Sequence, residues 1–282
     1  MPLIKLIADS GSTKTDWCLL NGTKKKLFTT QGLSPYFLDQ VQMSTIILNE
    51  LKPKLGETKI DEIWFYGTGC SSEKNIAIVK GALKNNFGKV KISITHDLMA
   101  AARALCGNEK GIACILGTGS NSCYFNGDKI IKNSPGIGFI LGDEGSGAYL
   151  GKRIIQYYLY HTFDTELKEK FQMKYEISAA LILQNVYREP LPNRYLASFT
   201  SFLSENRGHY MIENILEDCL NDFFFNHIYK YTESWSLPIH FVGGIAHIFS
   251  DVIIELCNSY ELTPGRIFKA PIDGLIKYHL NN

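Results

Sequence analysis

The strongest constraint on the fold is a pattern that occurs twice in the 282-residue chain. The first apolar run, Leu3 to Ala8, meets the turn-forming Asp9-Ser10-Gly11-Ser12, strand character returns from Thr15 to Leu20, and Asn21-Gly22 follows. Asn-Gly between apolar runs is a strong short-range hairpin signal. About 108 residues on, by the offset from Gly11 to Gly119, the plan returns. Ile112 to Leu116 enters Gly117-Thr118-Gly119-Ser120-Asn121-Ser122, then Cys123-Tyr124-Phe125, then Asn126-Gly127. The spacing reads as an internal duplication of a β-hairpin unit, one copy per domain.

The rest of the chain supplies helices and parallel-type strands. Asp61 to Tyr66 reads as a buried strand that breaks at Gly67-Thr68-Gly69. Helical spacing runs from Asn75 to Phe87, Val90 to Thr95 alternates as a strand, and Leu98 to Leu105 is an alanine-rich helix former. Further helices are expected over 149–160, 177–187, 211–231, 251–257 and 275–280, with a strand at 239–242 stopping at Gly243-Gly244. Strands mixed with helices in two related halves predict an α/β protein. The length suits two domains, expected at 1–110 and 111–267, with a closing segment 268–282 packing on the first. No low-complexity linker separates them, so a direct interface and a cleft are expected.

Composition narrows the partners. The chain has 29 basic and 28 acidic residues, a formal net charge of +1, so charge gives no reason to expect nucleic acid or an anionic membrane. No apolar run approaches the roughly 20 residues needed to span a bilayer. Seven scattered cysteines and a first segment, Met1 to Asp9, without the pattern of a secretory leader predict a cytoplasmic protein.

The glycine-rich turns carry the chemistry. A polyphosphate needs backbone N–H donors at close range, and small residues allow that approach. Ser10-Gly11-Ser12-Thr13-Lys14-Thr15 offers this with hydroxyls and a cation, and Gly117-Thr118-Gly119-Ser120-Asn121 offers it without the cation. Each alone also fits an ordinary tight turn; two copies on duplicated hairpins argue for phosphate binding. Lys14 either reaches phosphate or solvates the turn. A Walker A loop is excluded, because Ala8 and Thr13 stand where it needs glycine. The dinucleotide fingerprint also fails, with Leu141 in place of the third small residue after Gly136 and Gly138.

Four further positions each have two readings. Asp9 either caps the first turn or faces phosphates across a cation, for which Mg²⁺ is the natural choice. Gly243-Gly244 is either a strand-to-helix turn or a close approach to a flat purine. Asp97 is either the N-cap of the alanine-rich helix or a base that takes a proton from an attacking hydroxyl. The run 136–147 holds five glycines and adjacent Asp143 and Glu144. It is either a flexible turn with a capping Asp or a polyol site, with Asp143 orienting hydroxyls and Glu144 supporting the loop.

With these segments in order, the chain resembles the actin-like ATPase, sugar kinase and Hsp70 superfamily, and within it the N-acetylglucosamine kinases and the activator ATPases that share their family. The resemblance is carried by Asp9 to Thr15, Gly117 to Asn121, the Gly142-Asp143-Glu144-Gly145-Ser146 element and Phe241-Val242-Gly243-Gly244. It implies two duplicated ribonuclease H-like domains around an interdomain cleft. It also implies ATP with Mg²⁺, an amino-sugar substrate phosphorylated at its 6-hydroxyl, and a homodimer as one expected assembly. By the same resemblance, Ser10, Gly11, Ser12, Thr13, Lys14, Thr118, Gly119 and Ser120 would contact ATP phosphates, and Gly243 and Gly244 would flank its adenosine. Asp97 would be the general base and sugar contact, Asp9 would serve the metal, and Gly136, Ile137, Gly138 and Asp143 would line the sugar pocket. One position departs: the kinases carry a sugar-binding Asn where Ser34 stands, two residues before Tyr36. A serine reaches less far and offers one hydroxyl where an amide offers a donor pair and an acceptor.

Two rivals differ in class. An activator ATPase would bridge an iron–sulfur cluster through surface cysteines, but Cys70, Cys106, Cys114, Cys123, Cys219 and Cys257 form no CxxC pair. A non-catalytic sugar sensor has less need of a base than a chain with both Asp97 and Asp143.

Overall fold

The computed structural model describes residues 3–282; Met1 and Pro2, at the start of the expected first strand, lie outside the described residues. The chain divides into two compact units, one running through Asn108 and completed by Ala270–Asn282, the other spanning Glu109–Lys269.

The first unit is built on strands β1 (Ile4–Ser10), β2 (Lys14–Asn21), β3 (Lys24–Gln31), β4 (Glu62–Gly67) and β5 (Lys91–His96). They form one sheet in the order β3-β2-β1-β4-β5. The first three are antiparallel and β1, β4 and β5 run parallel. Alternation along β1 fills both faces: Leu6 and Ala8 enter one apolar cluster with Trp17, and Ile7 enters the other with Cys18 and Tyr66. The helix Glu73–Phe87, capped by the Ser72 side chain and stopped at Gly88, connects β4 to β5. Helix Asp97–Cys106 follows β5 directly, and the closing helix Ile272–Asn281 packs on it through Gly274, where a Cβ would meet the Ala104 backbone.

The second unit repeats the plan. Strands β6 (Gly111–Leu116), β7 (Ser120–Phe125), β8 (Ile130–Ser134), β9 (Ile239–Val242) and β10 (Pro264–Phe268) form a sheet in the order β10-β9-β6-β7-β8. Again three strands are antiparallel and β6, β9 and β10 run parallel. The two mixed sheets, each with helices packed on it, make this an α/β protein, and the duplication extends beyond the hairpins to whole five-stranded sheets.

Several expectations need correction. The helix expected over 211–231 spans Tyr210–Asn226 and then gives way to short 3₁₀ turns at Ile228–Lys230 and Thr232–Trp235. The helix Gln40–Ile46 and the strands β3, β8 and β10 had no counterpart in the sequence reading. Among the described residues, no helix is long and apolar enough to cross a membrane.

Candidate functional site

In each unit the polar turns sit at the carboxyl ends of the parallel strands, where open α/β sheets bind ligands. In the first unit, residues 11–13 close the β1–β2 hairpin, with Gly11 N–H donating to Lys14 O at 3.0 Å. The turn is held from beneath. Ser10 Oγ lies 2.7 Å from Thr15 Oγ1 and accepts from Leu33 N–H at 3.1 Å, and Gly32 N–H donates to Thr13 O at 3.0 Å. Gly32 has to be glycine, because a Cβ there would lie 2.5 Å from the carbonyl oxygens of Gly11 and Ser12. Thr13 is exposed, and Lys14 pairs with Asp16 at 2.7 Å while its side chain stays 63% exposed. In this structure Lys14 therefore neutralises Asp16 at the mouth of the turn.

Three carboxylates gather beside it. Asp9 and Asp16 are cross-strand partners, and Asp97 opens the helix that covers this face of the sheet. Burial, reinforced by repulsion from Asp16 and Asp97, pushes the Asp9 carboxyl up to about 7, against the pull of Lys14. Such crowding is the kind a divalent cation relieves, so Asp9 fits the expected metal role. Among the described residues no three His, Cys, Asp or Glu side chains converge to hold a metal by themselves. An ion here would need phosphate oxygens as well.

Asp97 is not the helix N-cap; His96 occupies that position. As the first helical residue, Asp97 accepts the Leu98 amide at Oδ1, 2.9 Å, and the Thr68 hydroxyl at Oδ2, 2.8 Å. Thr68 is the residue that sequence reasoning missed. Its amide donates to Ser10 O at 2.9 Å, so one residue ties the carboxylate to the first turn. The signal available was the strand break at Gly67-Thr68-Gly69, which gave no direction for the hydroxyl. Next to it, Gly69 adopts φ +85, and a Cβ there would strike the Tyr36 ring, which is 62% exposed. Ser34 is 1% exposed, with its hydroxyl turned toward Thr68 O at 3.5 Å. Thr68, Tyr36, Ser34, Asp97 and the first turn thus form one constellation.

In the second unit, residues 117–119 close the β6–β7 hairpin, with Gly117 N–H donating to Gly119 O at 3.0 Å. Helix Gly147–Leu159 starts against this turn: Gly147 N–H donates to Gly117 O at 2.8 Å and Ala148 N–H to Thr118 O at 3.0 Å. Two orphan helix donors are thereby satisfied, and the turn carbonyls are fixed toward the helix. Its cap is Ser146, not Asp143, whose φ is +57. The Asp143 carboxylate instead accepts the Ser120 amide and presses on Gly119, where a Cβ would lie 2.9 Å from Oδ2. Burial raises its pKa, and Glu144 adds to the rise. Gly243, at φ +131, runs so close to the same turn that a Cβ would overlap the Leu116 carbonyl, while Gly244 opens onto free space. The Ser120 hydroxyl is buried with no hydrogen-bond partner among the described residues. A phosphate oxygen at the turn would satisfy it.

Gly136, Ile137 and Gly138 lie on an exposed stretch that includes a one-turn helix, Gly138–Leu141. Its backbone returns at Gly142, where a Cβ would meet Ile137 at 2.6 Å. Ile137 is thus anchored against the loop's own return rather than in the core. All seven cysteines are buried and none is in a disulfide, so none presents a thiol at the surface for a shared cluster.

No family model matches the chain. It is similar to the crystal structure of a proposed N-acetylglucosamine kinase from Porphyromonas gingivalis, with 38% identity, a TM-score of 0.95, and 99% of each chain covered. A proposed N-acetylglucosamine kinase from Chromobacterium violaceum, 18% identical with a TM-score of 0.75 over 98% of this chain and 99% of its own, shares the fold. Among curated proteins, an N-acetyl-D-glucosamine kinase of Dictyostelium discoideum is 28% identical over 167 residues, 54% of this chain. That match spans about half, 52%, of the Dictyostelium protein.

Proposed function

The chain belongs to the N-acetylglucosamine kinase family of sugar kinases in the actin-like ATPase superfamily, and from that premise we propose that it transfers the γ-phosphoryl group of ATP to the 6-hydroxyl of an amino sugar, N-acetylglucosamine first among candidates. The observation that carries the reading is Thr68, which bonds the Asp97 carboxylate through its hydroxyl and the Ser10 carbonyl through its amide. These two bonds support a reading in which the proposed base and the proposed phosphate turn share one frame, as in-line phosphoryl transfer requires.

In the proposed reaction the sugar O6 forms a bond to the γ-phosphorus as the bond from that phosphorus to the β-bridging oxygen breaks. The O6 proton passes to Asp97, and ADP leaves. Asp97 has both oxygens fixed by donors, so its remaining lone pairs are held in one orientation, from which they would accept the hydroxyl proton. Backbone amides of the two turns would carry the charge of the phosphates. Asp9 would hold magnesium, which when bound offsets phosphate charge. Ser10, Gly11, Ser12, Thr13, Thr118, Gly119 and Ser120 are proposed as phosphate contacts, and Gly243 and Gly244 as the adenosine flank. Lys14, drawn to Asp16 in this structure, would have to leave that pair to reach phosphate. Tyr36 is proposed to stack on the sugar. Ser34, its hydroxyl directed toward Thr68 O, is proposed as a sugar contact weaker than the amide of the kinases, so the N-acetylglucosamine assignment leans on Asp97, Asp143 and the 136–138 stretch.

The test is a coupled ADP-release screen with Mg-ATP over amino sugars and hexoses. The reading predicts turnover that requires sugar and is fastest with an N-acetylated amino sugar. ADP release of equal rate without sugar would overturn it in favour of a plain ATPase.

A further inference from the structure

The stretch 135–141 is exposed apart from half-buried Phe139, yet both ends of the surrounding loop are anchored to one buried chain of hydrogen bonds. At the entry, Ser134 N–H donates to Tyr231 OH at 2.6 Å, and Ser134 Oγ adds a bond to Asn226 O at 3.2 Å. At the exit, Glu144 Oε2 lies 3.3 Å from His227 Nε2. Between them, Ser122 Oγ lies 2.8 Å from Tyr231 OH and 3.3 Å from His227 Nδ1. Ser122, His227 and Tyr231 are 0%, 4% and 1% exposed.

The ends of the chain favour one direction. An amide N–H can only donate, and a carboxylate can only accept. Each hydroxyl between has one proton to give and can accept from its other neighbour, and a neutral imidazole has one donor and one acceptor nitrogen. One order of donation satisfies every group: Ser134 N–H to Tyr231, Tyr231 O–H to Ser122, Ser122 O–H to His227 Nδ1, and His227 Nε2–H to Glu144. That order requires a neutral His227 with its proton on Nε2. Burial holds the His227 pKa below the usual imidazole range, against the pull of Glu144. The ring is further held by stacking on Phe223, centroids 4.6 Å apart at 19°. The loop exit also touches that side chain, since a Cβ on Gly145 would lie 2.8 Å from Phe223 Cβ.

We infer that Ser122, His227 and Tyr231 are positioning residues that clamp both ends of the loop carrying Gly136, Ile137, Gly138 and Asp143, and thereby set its affinity for the sugar. The inference rests on reading that loop as the sugar pocket. The chain helps only as a whole, because removing one hydroxyl leaves buried neighbours unpaired on either side of the gap. The break in the expected long helix belongs to the same device: His227 ends the helix Tyr210–Asn226, and the 3₁₀ turn after it carries the chain to Tyr231.

The experiment compares wild type with Tyr231→Phe and Ser122→Ala, each of which removes one hydroxyl and keeps most of the packing. Hydrogen exchange of the free protein reads the clamp without any activity. Amides of 135–143 should exchange about tenfold faster in either variant, the change expected from roughly one net hydrogen bond, while β6 and β9 stay unchanged. Kinetics then read the consequence: the sugar KM should rise about tenfold, with kcat and the ATP KM within about twofold. Long-range ¹H–¹⁵N spectra should show a neutral His227 protonated on Nε2. Unchanged loop exchange in both folded variants, or a His227 protonated on Nδ1, would overturn the clamp. Faster exchange with an unaltered sugar KM would overturn its role in sugar affinity. Faster exchange in a wild-type protein background that phosphorylates no sugar would instead overturn the kinase reading and leave the clamp standing. Were Tyr231→Phe to unfold, Ser122→Ala carries the same comparison.

Discussion

Replacing Asp97 by Asn separates the proposed base role from the scaffold. The carboxylate makes two bonds, from Leu98 N–H to Oδ1 and from the Thr68 hydroxyl to Oδ2. An asparagine keeps the first through its amide oxygen. It keeps the second if the Thr68 hydroxyl turns to accept from Nδ2, which a hydroxyl does freely. Both partners stay satisfied, so stability should change by no more than about 1 kcal/mol. What the amide cannot do is take a proton from O6. General-base catalysis is worth roughly 10²–10⁴ in rate, or about 2.7–5.4 kcal/mol. The expected result for Asp97→Asn in a coupled ADP assay is therefore a kcat at least about 10²-fold lower, with the melting temperature within a few degrees of wild type. ATP binding, followed by calorimetry, should stay within a few-fold. A kcat within about threefold of wild type would remove Asp97 from the base role. A rate loss matched by loss of ATP binding would show that the substitution damaged the turn instead.

Three other outcomes follow from the same geometry. Thr68→Val removes the hydroxyl that fixes Asp97 and should lower kcat about tenfold or more, whereas Thr68→Ser should restore most of it; equal rates in the two variants would contradict the tether. Gly243→Ala should lower the melting temperature by several degrees, because its Cβ would overlap the Leu116 carbonyl at φ +131, while Gly244→Ala meets open space and should melt as wild type but raise the ATP KM. Asp9, with its carboxyl raised from 3.8 to about 7, holds its proton in the folded state over a range where the unfolded chain has lost it, so its contribution to stability falls as pH rises through that window. Asp9→Asn should accordingly raise the melting temperature of the nucleotide-free protein at pH 8 and change it little at pH 4, and an equal shift at both values would contradict the assignment.

What the sequence revealed was local. The hairpins, their Asn-Gly turns and the small residues between strands are encoded within a dozen positions, and each stands where the spacing placed it. An edge strand of each sheet was hidden for physical reasons. β3 opens with Lys24-Lys25-Lys26 and lies at a sheet edge, where charge guards against stray pairing and hides the apolar signal. β10 begins with Pro264-Gly265 and is also an edge strand, the place where such residues are tolerated. The candidate site was legible as a set of segments but not as a set of contacts. That Asp143 would bond the Ser120 amide depends on a left-handed residue and on the helix that follows it. That Thr68 would meet Asp97 depends on the parallel pairing of β4 with β5, which brings Gly67 level with His96. His227 reads as one more helical residue until the fold sets Glu144 beside it.

The transfer itself is tested most directly by ³¹P NMR of the products formed from Mg-ATP and N-acetylglucosamine. The account predicts ADP and a sugar 6-phosphate ester appearing one for one, with little inorganic phosphate. Inorganic phosphate as the sole phosphorus product beside ADP would contradict it.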